Sequence, residues 1–269
     1  MNDFDRAPRL HPVLTILADL GFVWVIIHFG MGGVANAWVL LTNYGLLPWV
    51  ILGLVGFLVL YRSDYRTDVA LFLSGYLLGY WGEWWGTSRG VWTYWDGSTP
   101  PLYLPPLWGI GLLTVYRLSS LILPKLQPNP DRLIRWSMLA SFLILPLLAF
   151  AHSWPSLVLV DWRGRLDYHF IAGILVAGVL ILYRFDLRET FVFFICGTIL
   201  GGTYEYLGTS WGEWRYITGE VPPLWIAPLW GFATVAMVKL ARFGVRLPGL
   251  LAGFGWGKAS QSQTLRKRP

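Results

Sequence analysis

Long apolar runs separated by short polar breaks dominate the chain, and the runs share one length class. Crossing a hydrocarbon layer of about 30 Å takes roughly 20 helical residues. Eight stretches suit it: 13–34, 39–60, 69–87, 102–122, 136–152, 167–183, 190–208 and 223–242. Between them lie Pro, Gly and Arg, residues that end helices or face water. SWPSLVLV (153–160), between the fifth and sixth runs, is itself apolar and reads as an interfacial turn. The pattern predicts an all-α polytopic membrane protein with eight transmembrane helices.

Composition sharpens this. The 269 residues are 55% hydrophobic and 13% charged, with a mean hydropathy of +0.51. Soluble domains carry about 25% charged residues, and so little polar surface cannot cover a soluble globule. Soluble enzymes, disordered chains and nucleic-acid binders are thereby excluded. The net charge of +6 reads as topology rather than as an anionic partner. With the N-terminus inside, 17 of the 21 basic residues fall in cytoplasmic segments, Arg117, Lys239 and Arg242 among them. Only Arg89, Arg163, Arg165 and Arg215 stay outside. The positive-inside rule then predicts a multi-pass cell-membrane protein with both termini cytoplasmic. Ala35-Asn36-Ala37 looks like a signal-peptidase site, but the run before it is long for a signal core and holds Asp19 and His28. Residues 245–269 read as a basic cytoplasmic tail near anionic headgroups. A single cysteine, Cys196, excludes an internal disulfide and a Cys-based metal site.

The chain is also duplicated. Residues 61–118 align with 183–240 at a constant offset of 122, and 24 of the 58 positions are identical. YRSDYR pairs with YRFDLR, and GEWWGTSRGVWTYWDGSTPPLYLPPLWG with YEYLGTSWGEWRYITGEVPPLWIAPLWG. The identities fall on Gly, Pro, Trp, Tyr, Glu and Thr, which shared hydrophobicity alone does not produce. Four spans per half is an even number, so the halves point the same way, as in parallel transporter repeats. The expected organisation is two parallel four-helix repeats, 1–122 and 123–244, followed by the tail.

Each repeat carries Gly-x3-Gly-x3-Glu on one helix face: Gly75, Gly79 and Glu83, then Gly197, Gly201 and Glu205. Glycines at that spacing let another helix approach closely. Glu83 lies about 20 Å along its span from the cytoplasmic end, in the outer third of the membrane. Intramembrane carboxylates face an interior or a wet cavity, and a carboxyl holding its proton is a general acid. The alternative is architectural: each Glu accepts hydrogen bonds from the loop that follows it, GTSxGxWxY, and pins it. His28 and His152 fall at comparable depth, where each could hydrogen-bond a Glu, although the offset aligns His28 with Phe150. No Glu-x-x-His or His-x3-His spacing is present, so no metal is expected. Asp167 reads as a helix cap. Trp92, Tyr94 and Trp108 recur as Trp214, Tyr216 and Trp230. An interfacial belt does not require such fixed positions. These rings suit the lining of a site for a flat polyene or a carbocation. The prolines Pro100, Pro101 and Pro106, repeated as Pro222, Pro223 and Pro228, stiffen the chain into a lid over the glutamate level.

The pattern Glu-x2-Gly-x3-Gly-x-Trp-x-Tyr, followed by a Pro-containing stretch and a Trp in the next span, resembles the membrane carotenoid hydratases. It is similar to the heterodimer-type membrane lycopene cyclases and, more distantly, to membrane meroterpenoid cyclases. In those families acidic residues near one membrane face protonate an isoprenoid double bond, and water or an internal alkene captures the cation. The resemblance implies lyase or isomerase chemistry in carotenoid biosynthesis. It makes Glu83 and Glu205 the catalytic acids, with Trp92, Tyr94, Trp214 and Tyr216 in the lining. No phosphate-binding Gly-rich signature and no Asp-rich diphosphate motif is present. The expectation is therefore a cofactor-independent isoprenoid cyclase or hydratase acting on a membrane lipid or polyene. Two alternatives stand beside it: a pigment- or lipid-binding accessory subunit whose glutamates only fix loops, and a small-solute transporter, suggested by the duplication and the paired acids. The sequence specifies no oligomeric state.

Overall fold

A computed structural model of the chain describes residues 46–61, 63–127, 130–153 and 167–255. The first expected span with Asp19 and His28, the Ala35-Asn36-Ala37 site, the turn after Ser153 and the end of the tail lie outside the described residues. The elements are α1 (Leu47–Leu60), α2 (Tyr65–Ser88), β1 (Trp92–Tyr94) and α3 (Leu104–Ile122), which tightens into a 3-10 turn at Leu123–Lys125. They continue as α4 (Arg132–Ser153), α5 (Tyr168–Leu182), α6 (Leu187–Trp211), β2 (Trp214–Tyr216) and α7 (Ile226–Gly255). The described parts of the second to eighth apolar runs thus each fall on a helix. Among the described residues three helical stretches, Leu104–Lys125, Leu187–Trp211 and Ile226–Arg246, are long and apolar enough to cross a membrane, while Tyr168–Leu182 is apolar but shorter.

Local chemistry sets the helix starts. Asp64 and Asp186, 122 apart, cap α2 and α6 by accepting from Thr67 N (3.0 Å) and Glu189 N (2.8 Å). Asp167 caps α5 through His169 N and Phe170 N, as its position predicts. Such a cap contributes about 1 kcal/mol by satisfying an orphan amide. α6 ends at Gly212, whose φ of 78° is the left-handed conformation that glycine enters without strain.

α2 packs against α3 and α7, and α6 against α7 and α3, so the two halves interlock. Leu71, Ile110, Leu113, Phe194, Val235 and Val238 fill the shared core. Phe142 of α4 meets Phe194 and Phe232 edge-on. Close approach rests partly on Gly75: a Cβ there would lie 2.8 Å from the Trp108 carbonyl and 2.9 Å from the Gly109 Cα.

Three of the basic residues counted on the cytoplasmic side, Arg117, Lys239 and Arg242, lie inside helices and hold carboxylates. Arg117 pairs with buried Asp68, and Arg242 pairs with Glu189. Lys239 lies 3.9 Å from Glu189 and donates to the Arg184 carbonyl at 2.9 Å. The reason is the cost of a buried lone charge: the helices carry acid and base together, and either one alone would be strongly destabilising.

Candidate functional site

Two three-residue strands bring the duplicated motifs together. β1 and β2 pair antiparallel, with Trp92 opposite Tyr216, Thr93 opposite Arg215 and Tyr94 opposite Trp214. Side chains alternate along a strand, so Trp92, Tyr94, Trp214 and Tyr216 turn inward while Thr93 and Arg215 face out. The ribbon is extended by Trp95 N donating to Glu213 O and Ile217 N to Val91 O.

Under the ribbon, the last turns of α2 and α6 present the glutamates. Glu83 Oε2 accepts from Trp92 Nε1 (3.0 Å) and Tyr94 OH (2.8 Å), and its Oε1 accepts from Trp108 Nε1 (2.9 Å). Glu205 Oε2 accepts from Trp214 Nε1 (3.0 Å) and Tyr216 OH (2.7 Å), and its Oε1 from Trp230 Nε1 (2.8 Å). Both glutamates are 6% exposed. Thr87 and Thr209 tie the same turn by donating to the backbone carbonyls of Glu83 and Glu205. Burial, and then the neighbouring glutamate, push the Tyr94 and Tyr216 hydroxyls well above the usual phenol range, so both stay protonated as donors. Indole N–H groups donate and cannot accept. Each carboxylate is therefore a focus of three donors, a geometry that suits the ionised form.

Glycine makes room for the rings. A Cβ at Gly86 would run into the Trp92 indole, and one at Gly208 into that of Trp214. Gly79 and Gly201, expected at a helix–helix crossing, instead seat the indoles of Trp108 and Trp230. Gly75 and Gly197 make the closer interhelical contacts, Gly197 against Thr234 and the Trp230 backbone. Trp108 and Trp230 then stack across the join. Leu104, Trp225 and Ile226, from the Pro-bearing loops and the helix starts after them, are buried in this cluster.

The structure brings six of the eight expected lining residues to the two carboxylates. The other two are His28, outside the described residues, and His152, which lies near the end of α4. The first-half cluster gains one residue from the second repeat that its sequence position marks only as a cap. Asp167 accepts from Trp85 Nε1 (2.9 Å) and pairs with Arg89 (3.1 Å), and Phe170 stacks on Trp85 at 4.8 Å. This fastens the start of α5 to the end of α2. Trp85 and Arg89 correspond to Leu207 and Trp211, so the second half has no copy of the pairing, and only this break in the repeat could have signalled it. Glu213, at the ribbon's edge, is half-buried, and burial followed by the charge of Asp96 pushes its carboxyl up. Among the described residues no group of three His, Cys, Asp or Glu converges on a metal-sized site. No family model, curated protein or solved structure matches the chain.

Proposed function

We propose that this chain is a multi-pass cell-membrane protein that binds a membrane lipid or polyene beside its aromatic–carboxylate cluster. Its eight spans form two parallel four-helix repeats, 1–122 and 123–244, with both termini cytoplasmic and the cluster toward the outer face. In this reading the protein is a lipid- or pigment-binding subunit, and the glutamates are fixed acceptors that hold the ribbon and the two halves in place. The observation that carries it is the saturation of Glu83 and Glu205, each by three donors of which two are indoles. A protonated carboxyl would turn a donor toward indoles, which cannot accept, or toward a phenol oxygen that would first have to give up its own bond to the carboxylate. The apolar partner is supported by the rings and alkyl groups left exposed around the cluster, Tyr76, Leu77, Tyr80 and Trp84 on α2 and Tyr206 on α6. Mass spectrometry of lipids extracted from the purified protein tests it. A stoichiometric polyene or isoprenoid supports the reading, and bulk phospholipid alone overturns it.

A second reading, cofactor-independent protonation of an isoprenoid double bond by Glu83 or Glu205, is favoured by a different observation. Among the described residues neither carboxylate is paired with a basic side chain, so none of them supplies a counter-charge at the site. Turnover of a carotenoid-type substrate that is lost in Glu83→Gln or Glu205→Gln, with folding intact, would establish it.

A further inference from the structure

The two faces of the ribbon obey the duplication differently. Inward, Trp92 and Tyr94 recur as Trp214 and Tyr216, whereas outward Thr93 faces Arg215 and Trp95 has Ile217 as its counterpart. Bonds to the glutamates hold the inner set in place, and the outer set makes no such bonds. Trp95 lies two residues beyond Thr93 on the same face, diagonal to Arg215 across the ladder. Diagonal neighbours are within reach of long and aromatic side chains. Thr93, Tyr94, Trp95, Gly212 and Arg215 line a groove of about 350 Å³ there. That volume falls at the lower end of small-molecule sites, about 300–1,000 Å³. Gly212, held at a φ of 78°, contributes only backbone to the wall.

The groove carries both signs of charge. Arg215 is exposed, and its guanidinium has no carboxylate or carbonyl partner among the described residues. Arg89, the other described basic residue assigned to the outer side, is held by Asp167. At the opposite end, Trp95 is 73% exposed and its backbone N–H donates to Glu213 O at 3.1 Å, while Asp96 follows it in the chain. The charge of Asp96 reaches Glu213, so these two carboxylates are neighbours. A dianion would meet both of them, and a bare amine would meet Arg215. A ligand with a phosphate at one end and an ammonium at the other satisfies the whole groove. Guanidinium forks bind phosphate bidentately, and an indole face attracts an ammonium.

We propose that this groove binds the head group of a zwitterionic phospholipid, with the phosphate on Arg215 and Thr93 and the ammonium over the Trp95 ring. Depth supports the bilayer as its source. The 24 residues of α2 rise about 36 Å, slightly more than a hydrocarbon layer of about 30 Å. The ribbon that follows α2 therefore sits at head-group level. This site goes beyond the polyene reading and takes from it only the placement of the ribbon at the outer membrane surface.

The test uses the full chain in dodecyl maltoside, which contains no phosphate, and equilibrium dialysis against tritiated dihexanoylphosphatidylcholine below its micelle concentration. Wild type is expected to show a single saturable site. Arg215→Ala and Trp95→Ile should each weaken it about tenfold or more, whereas Ile217→Ala, at the other end of the ribbon, should not change it. Both outward side chains leave the inner cluster untouched, so melting temperatures should match wild type. Arg215→Lys, which keeps the charge and loses the fork, should fall between wild type and Arg215→Ala. No saturable binding to wild type overturns the proposal, as does wild-type affinity in both Arg215→Ala and Trp95→Ile. Equal affinity for dihexanoylphosphatidylglycerol, which has no ammonium, overturns the zwitterion assignment. Free phosphocholine competing as well as the lipid overturns the bilayer source and makes a dissolved zwitterion the ligand. Lipids extracted from the same preparations keep the two readings apart. A polyene retained by an Arg215→Ala protein that has lost probe binding leaves both standing, because the sites are separate. A wild type that carries no polyene but binds the probe overturns only the polyene reading, and one that carries polyene but binds no probe overturns only this one.

Discussion

Trp108 and Trp230 lie face to face, ring centroids 3.9 Å apart and planes 9° from parallel. Each donates its N–H to a carboxylate of its own half, at 2.9 Å and 2.8 Å. The chain from Glu83 through the two indoles to Glu205 thus crosses the join between the duplicated segments. The paired strands cross it a second time. Two small contacts, the stack of Trp108 on its own counterpart and the strand pair centred on Thr93 and its counterpart Arg215, close the helices at the end where they carry their carboxylates.

Replacing Trp108 or Trp230 by Phe keeps most of the stack and removes the N–H. A hydrogen bond to a charged group contributes about 1.5–3 kcal/mol in water-soluble proteins, whereas bonds within membranes average nearer 0.6 kcal/mol. Each substitution is expected to lower unfolding stability in detergent by about 1–2 kcal/mol. Because the rings touch, the double variant should depart from additivity. Full additivity in a denaturation cycle would show that the stack carries no coupling.

Three glycines one turn apart on α2 should respond in opposite ways. Gly79→Leu, like Gly201→Leu, drives a branched side chain into an indole, and Gly86→Ala places a Cβ within the Trp92 ring. Overpacking of this kind costs about 1–3 kcal/mol or more. Gly82→Ala meets open space and should be neutral or stabilising by up to about 1 kcal/mol through helix propensity. Melting temperatures of the four purified variants check the contrast, and a Gly86→Ala protein as stable as wild type would contradict the packing described.

Much of this was legible in the sequence, and the limits are physical. Apolar run length located the helices because membrane thickness fixes it, and the offset of 122 singled out Glu, Trp and Tyr because their identities recur. The β1–β2 pairing was not legible, since three residues give no alternation to read and the partner is 122 positions away. Nor was the role of Gly79, because small-residue spacing does not distinguish a neighbouring backbone from an indole. The pairing of Arg117 was not legible either, because nothing local in the sequence reveals Asp68 on the facing helix.

Asp167 gathers Trp85, Arg89 and two backbone amides of α5 at one buried carboxylate. Breaking a buried pair by removing one partner costs about 3–5 kcal/mol, because the other charge is left unpaired. Arg89 is about one-third exposed and can turn to water, so Asp167→Ala is expected to cost less, about 2–3 kcal/mol. The loss should appear first as faster amide exchange at the start of α5 and the end of α2. Exchange that rises equally in α6, which has no such contact, would show that Asp167 acts globally instead of fastening these two ends.

Glu83→Gln and Glu205→Gln separate architecture from acid catalysis. The substitution keeps the shape but turns one acceptor oxygen into an NH2 donor. At each glutamate Oε2 receives an indole and a phenol, and Oε1 receives an indole. Whichever way the amide is turned, at least one buried indole loses its acceptor, at about 1–3 kcal/mol. If the carboxylates are fixed acceptors, both variants lose stability by similar amounts, and retention of bound lipid falls only as the folded fraction falls. Acid catalysis gives a different pair of results: one variant, with Glu205→Gln the stronger candidate because Glu213 lies nearby in the second half, would stay folded yet lose turnover far beyond its loss of stability. Unfolding curves and lipid content measured on the same two preparations decide between them. Unchanged stability in both variants would remove the architectural reading, since taking the acceptor from one of these indoles must cost stability.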